Sequence, residues 1–206
     1  MARNFRRSLT FGDAVKSSRP TSFGTMLKPA GSLCNLDCQY CYYLDKAGLY
    51  GGREPKMSLE MLEEYVRQYI EGNDVPLVTF CWHGGEPLLA GLDFYRRAVE
   101  FQKKYAGEKK IDNALQTNGV LLDEEWCSFF RENDFLVGVS IDGPRDIHDP
   151  FRVDKGGRPT FDRVMAGIEL LARTGVEYNT LSMVNRLSEG RGAEVYRFCL
   201  LYTSPS

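Results

Sequence analysis

Cys34-Asn35-Leu36-Asp37-Cys38-Gln39-Tyr40-Cys41 places three thiols within eight residues, spaced C-x3-C-x2-C, just after a short apolar run from Phe23 to Leu27. Spacing this tight lets one loop wrap a single face of a metal cluster. Thiolates are soft ligands that select zinc or iron–sulfur clusters over hard cations. A [4Fe–4S] cluster ordinarily takes four Cys, one per iron; three, with no fourth nearby, would leave one iron open to a small molecule. The spacing by itself also admits a structural zinc knuckle, a disulfide pair with a spare thiol, or small buried hydrophobes. A zinc site needs a fourth ligand at close range, whereas the two histidines, His83 and His148, lie far along the chain.

Outward from this loop, strand and helix patterns alternate. Phe23–Leu27 reads as a short strand. Ser58 is a candidate N-cap for a helix with Leu59, Leu62, Val66 and Ile70 on one face, closed by Gly72-Asn73-Asp74. The continuous apolar run Pro76–Trp82 predicts a buried strand. Helices are expected over 92–105 and 123–132, with strands at 111–116 and 135–141. A further amphipathic helix spans 160–174, ended by Gly175, followed by a strand at 178–184 and a helix from Ala193 to Phe198. About five such alternations argue for parallel βα units, and right-handed crossovers curl them into a barrel or an open doubly wound sheet. The cysteines and the most polar short motifs all fall at or just after strand ends, where βα barrels carry their functional groups.

Composition narrows the class. The 206 residues, 43% hydrophobic and 26% charged, are globular values for one ordinary domain. A net charge of −2 gives no electrostatic case for nucleic acid or an anionic membrane, and no apolar run approaches a membrane span. Residues 1–22 carry Arg3, Arg6, Arg7, Lys16 and Arg19 without the apolar core of a signal peptide, and read as an irregular leader of a cytoplasmic protein. Six cysteines fit a compartment where free thiols and clusters persist.

Three further motifs hold candidate ligand contacts. In Gly84-Gly85-Glu86-Pro87 two glycines allow close backbone approach or positive φ, and Glu86 offers a carboxylate to an ammonium group; a plain strand-to-helix turn is the alternative. Ser140-Ile141-Asp142-Gly143 sets two short polar side chains at a strand end, suited to a ribose hydroxyl or a ligand carboxylate, with Arg152 able to add a bidentate contact; an Asp-Gly turn is the alternative. Gln116 and Asn118 can line the same cavity, or Asn118-Gly119 can be an ordinary turn. His83 could serve as a ligand or acid/base group, since imidazole titrates near neutrality, but reads first as a packed or hydrogen-bonding neighbour of the site. Cys81, Cys127 and Cys199 read as buried structural thiols.

The cysteine loop with Tyr40 before its last Cys resembles the cluster loop of the radical SAM enzymes. The longer string from Lys28 to Leu44, KPAGSLCNLDCQYCYYL, resembles more narrowly the anaerobic sulfatase-maturating enzymes, the branch that usually carries a SPASM domain. WHGGEP from Trp82, QTNG from Gln116 and SIDGP from Ser140 stand in that family's order, and the similarity runs from about Phe23 to about Phe198. The resemblance implies an α/β fold, a partial (β/α)6 TIM-like barrel incomplete at its C-terminal end, with the core at 23–199. It implies a [4Fe–4S] cluster on Cys34, Cys38 and Cys41, and S-adenosylmethionine held near Tyr40, Gly84, Gly85, Glu86, Gln116, Asn118, Ser140, Asp142 and Arg152. Reductive cleavage to a 5′-deoxyadenosyl radical would then oxidise a Cys or Ser of a sulfatase polypeptide to formylglycine, with a flavodoxin- or ferredoxin-type donor of low potential. Other radical SAM peptide-modifying enzymes, which form thioethers or crosslinks, share these motifs, and a cluster-binding fragment without turnover is a third reading. The family's catalytic base and SPASM ligands lie beyond the end of this chain, so no catalytic residue is named. Residues 200–206 read as an off-pattern tail with poor helical character, as though the frame were cut or mis-joined there.

Overall fold

The computed structural model describes residues 22–43, 46, 48, 49 and 56–203; the expected leader, apart from Ser22, and residues 204–206 lie outside them. Five parallel strands form one sheet in sequential order: β1 (Met26–Leu27), β2 (Leu77–Trp82), β3 (Lys110–Thr117), β4 (Phe135–Ser140) and β5 (Tyr178–Leu181). A doubly wound sheet reverses its strand order partway along; this order never reverses, which is barrel topology. Helices α1 (Leu59–Gly72), α2 (Leu92–Tyr105), α3 (Glu124–Glu132), α4 (Arg145–His148), α5 (Phe161–Thr174) and α6 (Gly192–Thr203) connect and follow the strands. Among the described residues no helix is long and apolar enough to cross a membrane.

Local chemistry sets the helix ends. The Ser58 hydroxyl accepts from Met61 N at 3.2 Å and the Asp123 carboxylate from Trp126 N at 2.9 Å, each satisfying an N–H the helix cannot. Gly175, at φ 71°, ends α5 in the left-handed conformation a C-terminal glycine supplies. The core lies between the sheet and these helices, with Val78, Phe80 and Trp82 of β2, Leu115 of β3 and Val137 and Val139 of β4 facing Leu62, Val66, Tyr95, Phe130, Val164 and Ile168.

Three expectations change. The first strand is shorter than 23–27: only Met26 and Leu27 pair with β2, and Phe23 instead packs its ring edge-on against Tyr69 at 5.5 Å. The run at Pro76–Trp82 is not buried throughout. Val78, Phe80 and Trp82 are, but Leu77 is 44% exposed, because strand residues alternate sides and only one face of this sheet meets helices. The segment after Phe198, expected to have poor helical character, is helical, since α6 continues to Thr203. Leu200 and Leu201 are strong helix formers, and no Gly or Pro intervenes before Pro205.

Candidate functional site

All five strands end at one rim, and the segments leaving them build the site. The cysteine loop leaves β1 and is pinned from two sides. On one, Gly85 N donates to Gly31 O at 2.9 Å and Glu86 N to Leu33 O at 2.7 Å. This approach requires glycine: a Cβ on Gly85 would lie 2.2 Å from Leu33 O and 2.6 Å from Ser32 O, and Gly84 adopts φ +131°. On the other side, Asp37 N donates to Val153 O at 2.8 Å and Gln39 N to Phe151 O at 2.9 Å, while Lys155 pairs with Asp37 at 2.9 Å.

The loop so held turns Cys34, Cys38 and Cys41 toward one cavity of about 230 Å³, whose lining also includes Tyr40, Gly84, Gly85, Gln116, Asn118, Ser140 and Arg152. Ten of the twelve residues singled out in the sequence as cluster or ligand contacts therefore meet here. The other two do not. Glu86 is fully buried beneath this wall, its carboxylate accepting from Thr117 Oγ1 (2.8 Å), Asn118 N (2.8 Å) and Leu88 N (3.1 Å). Burial pushes its pKa up to about 7 against these donors. Asp142 is also fully buried. Its Oδ2 accepts from Tyr40 OH at 2.5 Å, and its Oδ1 from Arg152 Nε at 3.0 Å and Met183 N at 3.1 Å. Both carboxylates accept hydrogen bonds from within the chain and neither lines this cavity, but their partners Asn118, Tyr40 and Arg152 do.

Arg152 is the chief of these. Its Nε holds Asp142, and its guanidinium lies 5.5 Å from the Tyr40 ring centroid. Among the described residues its two terminal nitrogens donate to no protein group. Behind it, His148 Nδ1 accepts from Asp142 N at 3.4 Å, and His148 Nε2 lies 3.1 Å from Thr160 Oγ1, which donates to Arg152 O at 2.8 Å. Thr160 has spent its proton, so Nε2–H is the donor and the ring is neutral. Burial, aided by the Arg152 charge, lowers the His148 pKa to about 4.

The Cys34 sulfur sits among donors. Leu36 N lies 3.4 Å and Asn118 Nδ2 3.7 Å from Cys34 Sγ, and Asn118 Nδ2 donates to Asn35 Oδ1 at 2.7 Å. Among the described residues the buried Asn35 Nδ2 has no hydrogen-bond partner. An uncommitted donor beside a donor-flanked thiol fits a sulfide-rich anionic cluster, whose potential responds to hydrogen bonds on its sulfurs. Among the described residues no three Cys, His, Asp or Glu side chains converge on a single-ion position. Burial pushes the Cys34 thiol up to about 11 and raises that of Cys38, so a metal bound there would displace protons.

The cavity also takes in Leu36, Leu181, Ser182 and Met183, which the sequence reading did not single out. The period-2 run into Leu181 was the available signal for the last three. The clamp at Phe151–Asp154 has no periodicity to betray it. Of the remaining thiols Cys127 is fully buried as expected, whereas Cys81 and Cys199 are half-buried, Cys199 beside the Ser182 hydroxyl at 3.5 Å.

Residues 29–199 match the family described as the Radical SAM superfamily. A serine-type anaerobic sulfatase-maturating enzyme of Bacteroides thetaiotaomicron is 53% identical over 175 residues, covering 84% of this chain and 42% of that protein. A cysteine-type enzyme of Clostridium novyi is 40% identical over 182 residues, covering 86% and 48%. The chain thus spans less than half the length of these relatives. Among solved structures, native anSMEcpe with bound AdoMet and Cp18Cys peptide superposes with a TM-score of 0.76 at 40% identity, over 84% of this chain and 46% of that one. Streptococcus suis SuiB, 17% identical with a TM-score of 0.62 over 86% of this chain and 37% of its own, shares the fold. The chain belongs to the radical SAM superfamily, whose members bind a [4Fe–4S] cluster and S-adenosylmethionine.

Proposed function

We propose that this chain is the cofactor-binding core of an anaerobic sulfatase-maturating enzyme. Cys34, Cys38 and Cys41 hold the cluster, S-adenosylmethionine lies beside it in the same cavity, and a Cys or Ser of a sulfatase polypeptide becomes formylglycine. The observation that carries this reading is the union of three thiols, a glycine wall and an uncommitted Arg fork in one cavity at the carboxyl rim, in a chain 53% identical to a serine-type maturase. When bound, the two cofactors supply the one-electron cleavage and hydrogen abstraction.

The chain's own residues bind, orient and exclude water. Gly84 and Gly85 let the segment leaving β2 lie against the cysteine loop, where a Cβ would meet Gly31 O, Leu33 O and Ser32 O. Arg152 offers its terminal nitrogens to a carboxylate in the fork geometry that suits one. Ser140 Oγ accepts from Gln116 Nε2 at 3.0 Å, leaving its own proton to donate. Leu36, Leu181 and Met183 supply apolar lining. The free thiols fit a cytoplasmic protein, and a low-potential donor of flavodoxin or ferredoxin type supplies the electron.

Anaerobic reconstitution with iron and sulfide, followed by dithionite, S-adenosylmethionine and sulfatase peptides bearing Cys or Ser, tests the proposal by mass spectrometry. The expected products are 5′-deoxyadenosine and a formylglycine peptide. A thioether-linked peptide would move the chain to the crosslinking enzymes; no 5′-deoxyadenosine from an iron-loaded chain would overturn the reading.

A further inference from the structure

The cofactor cavity has a neighbour. A second cavity, of about 290 Å³, opens on the concave face of the sheet, and the residues common to both linings are His83, Gln116 and Leu181. Strand alternation explains the trio. Val78, Phe80 and Trp82 of β2 face the helices, so Thr79, Cys81 and then His83 face the concave side. Through the registers Cys81↔Ala114, Gln116↔Gly138 and Ser140↔Leu181, the same side carries Gln116 and Leu181. The trio is a threshold between the place for a cofactor and the place for a chain lying along the sheet.

Its three members differ in what they have left to offer. Leu181 has no polar group. Gln116 donates to Ser140 at 3.0 Å, and its Oε1 lies over Gly138, 2.1 Å from where a Cβ would stand. His83 Nδ1 accepts from Gly84 N at 2.7 Å, which leaves the ring proton on Nε2. Among the described residues that Nε2 has no partner. Burial, with the charge of Lys28, lowers the His83 pKa, so the ring is neutral near pH 7.

We propose that His83 is a substrate-contacting residue whose Nε2–H donates a hydrogen bond to the Oγ or Sγ of the reacting Ser or Cys, in a polypeptide seated on the concave face. This rests on the maturase reading. It assigns the contact that distinguishes a reacting hydroxyl or thiol from an apolar side chain at the threshold, and a neutral donor suits either atom.

The test is a double-mutant cycle on the full chain, loaded with cluster and S-adenosylmethionine. Kd values for fluorescent peptides carrying Ser or Ala at the reacting position are measured with wild type and with His83→Asn, whose shorter amide can keep the Gly84 contact but lacks the Nε2 donor. The expected result is a Ser peptide weakened roughly 3- to 10-fold by the substitution, with the Ala peptide unchanged. Equal weakening of both peptides, no weakening of either, or a parallel loss of S-adenosylmethionine affinity would overturn the inference and return His83 to a packing or cofactor role. If wild type binds the cofactor but neither peptide, the maturase reading fails, and this assignment with it.

Discussion

Gly85→Ala is expected to unseat the cysteine loop and abolish iron loading. The added methyl would stand 2.2 Å from Leu33 O and 2.6 Å from Ser32 O, and both obstacles are backbone, so no side-chain rotation relieves them. Either β2's exit or the loop must retreat, and both Gly85 N–Gly31 O and Glu86 N–Leu33 O are lost with the retreat. Overpacking plus two broken hydrogen bonds costs about 3 kcal/mol, a fall in Tm of roughly 6–12 °C for a chain this size. Leu33 immediately precedes Cys34, so a shift at this point moves the first of the three sulfurs proposed to hold the cluster. Gly24→Ala is the control: nothing lies within 4 Å of its Cβ position. Differential scanning fluorimetry of the metal-free chain and iron analysis after reconstitution read the two effects separately; a Gly85→Ala protein with wild-type Tm and iron content would contradict the described loop packing.

Asp142→Ala is expected to be the most destabilising single truncation in the site. It would leave the Arg152 charge, 9% exposed, without its counter-ion, and Tyr40 OH and Met183 N without their acceptor. Removing one member of a buried pair costs about 3–5 kcal/mol, because the other charge stays buried. Asp142→Asn retains an oxygen for Arg152 Nε and Met183 N, and its amide can donate to the Tyr40 oxygen, so it loses roughly half as much. Urea denaturation at pH 7 under reductant gives both values. Equal and small losses would mean that Asp142 is solvated, against the full burial described here.

The same residue marks the limit of what sequence could tell. Asp142 was recognisable as a site residue, since Ser-Ile-Asp-Gly-Pro falls at the end of an apolar β run. Its partners were not: Tyr40 lies 102 positions away, and no local pattern encodes that pairing. Glu86 is similar, for its acceptor role toward Asn118 depends on two strands being neighbours. Local chemistry was legible because its causes are local. Ser58, Asp123 and Gly175 each act within a few residues, and the cysteine spacing fixes how far apart three sulfurs can stand. Sequential strand order was left open by periodicity, since barrel and doubly wound sheets share the same βα alternation. Helix α6 was cut short in the reading because aromatic and Cys residues blur amphipathic spacing, although Leu200 and Leu201 sustain a helix.

Cys34, Cys38 and Cys41 are proposed to hold a cluster with one iron open to S-adenosylmethionine. The EPR spectrum of the reconstituted, dithionite-reduced chain, recorded with and without S-adenosylmethionine, tests this most directly. The prediction is a reduced-cluster signal whose g-values shift when S-adenosylmethionine is added, and which disappears in Cys38→Ala. A cluster signal indifferent to S-adenosylmethionine, or one that survives Cys38→Ala, would contradict it.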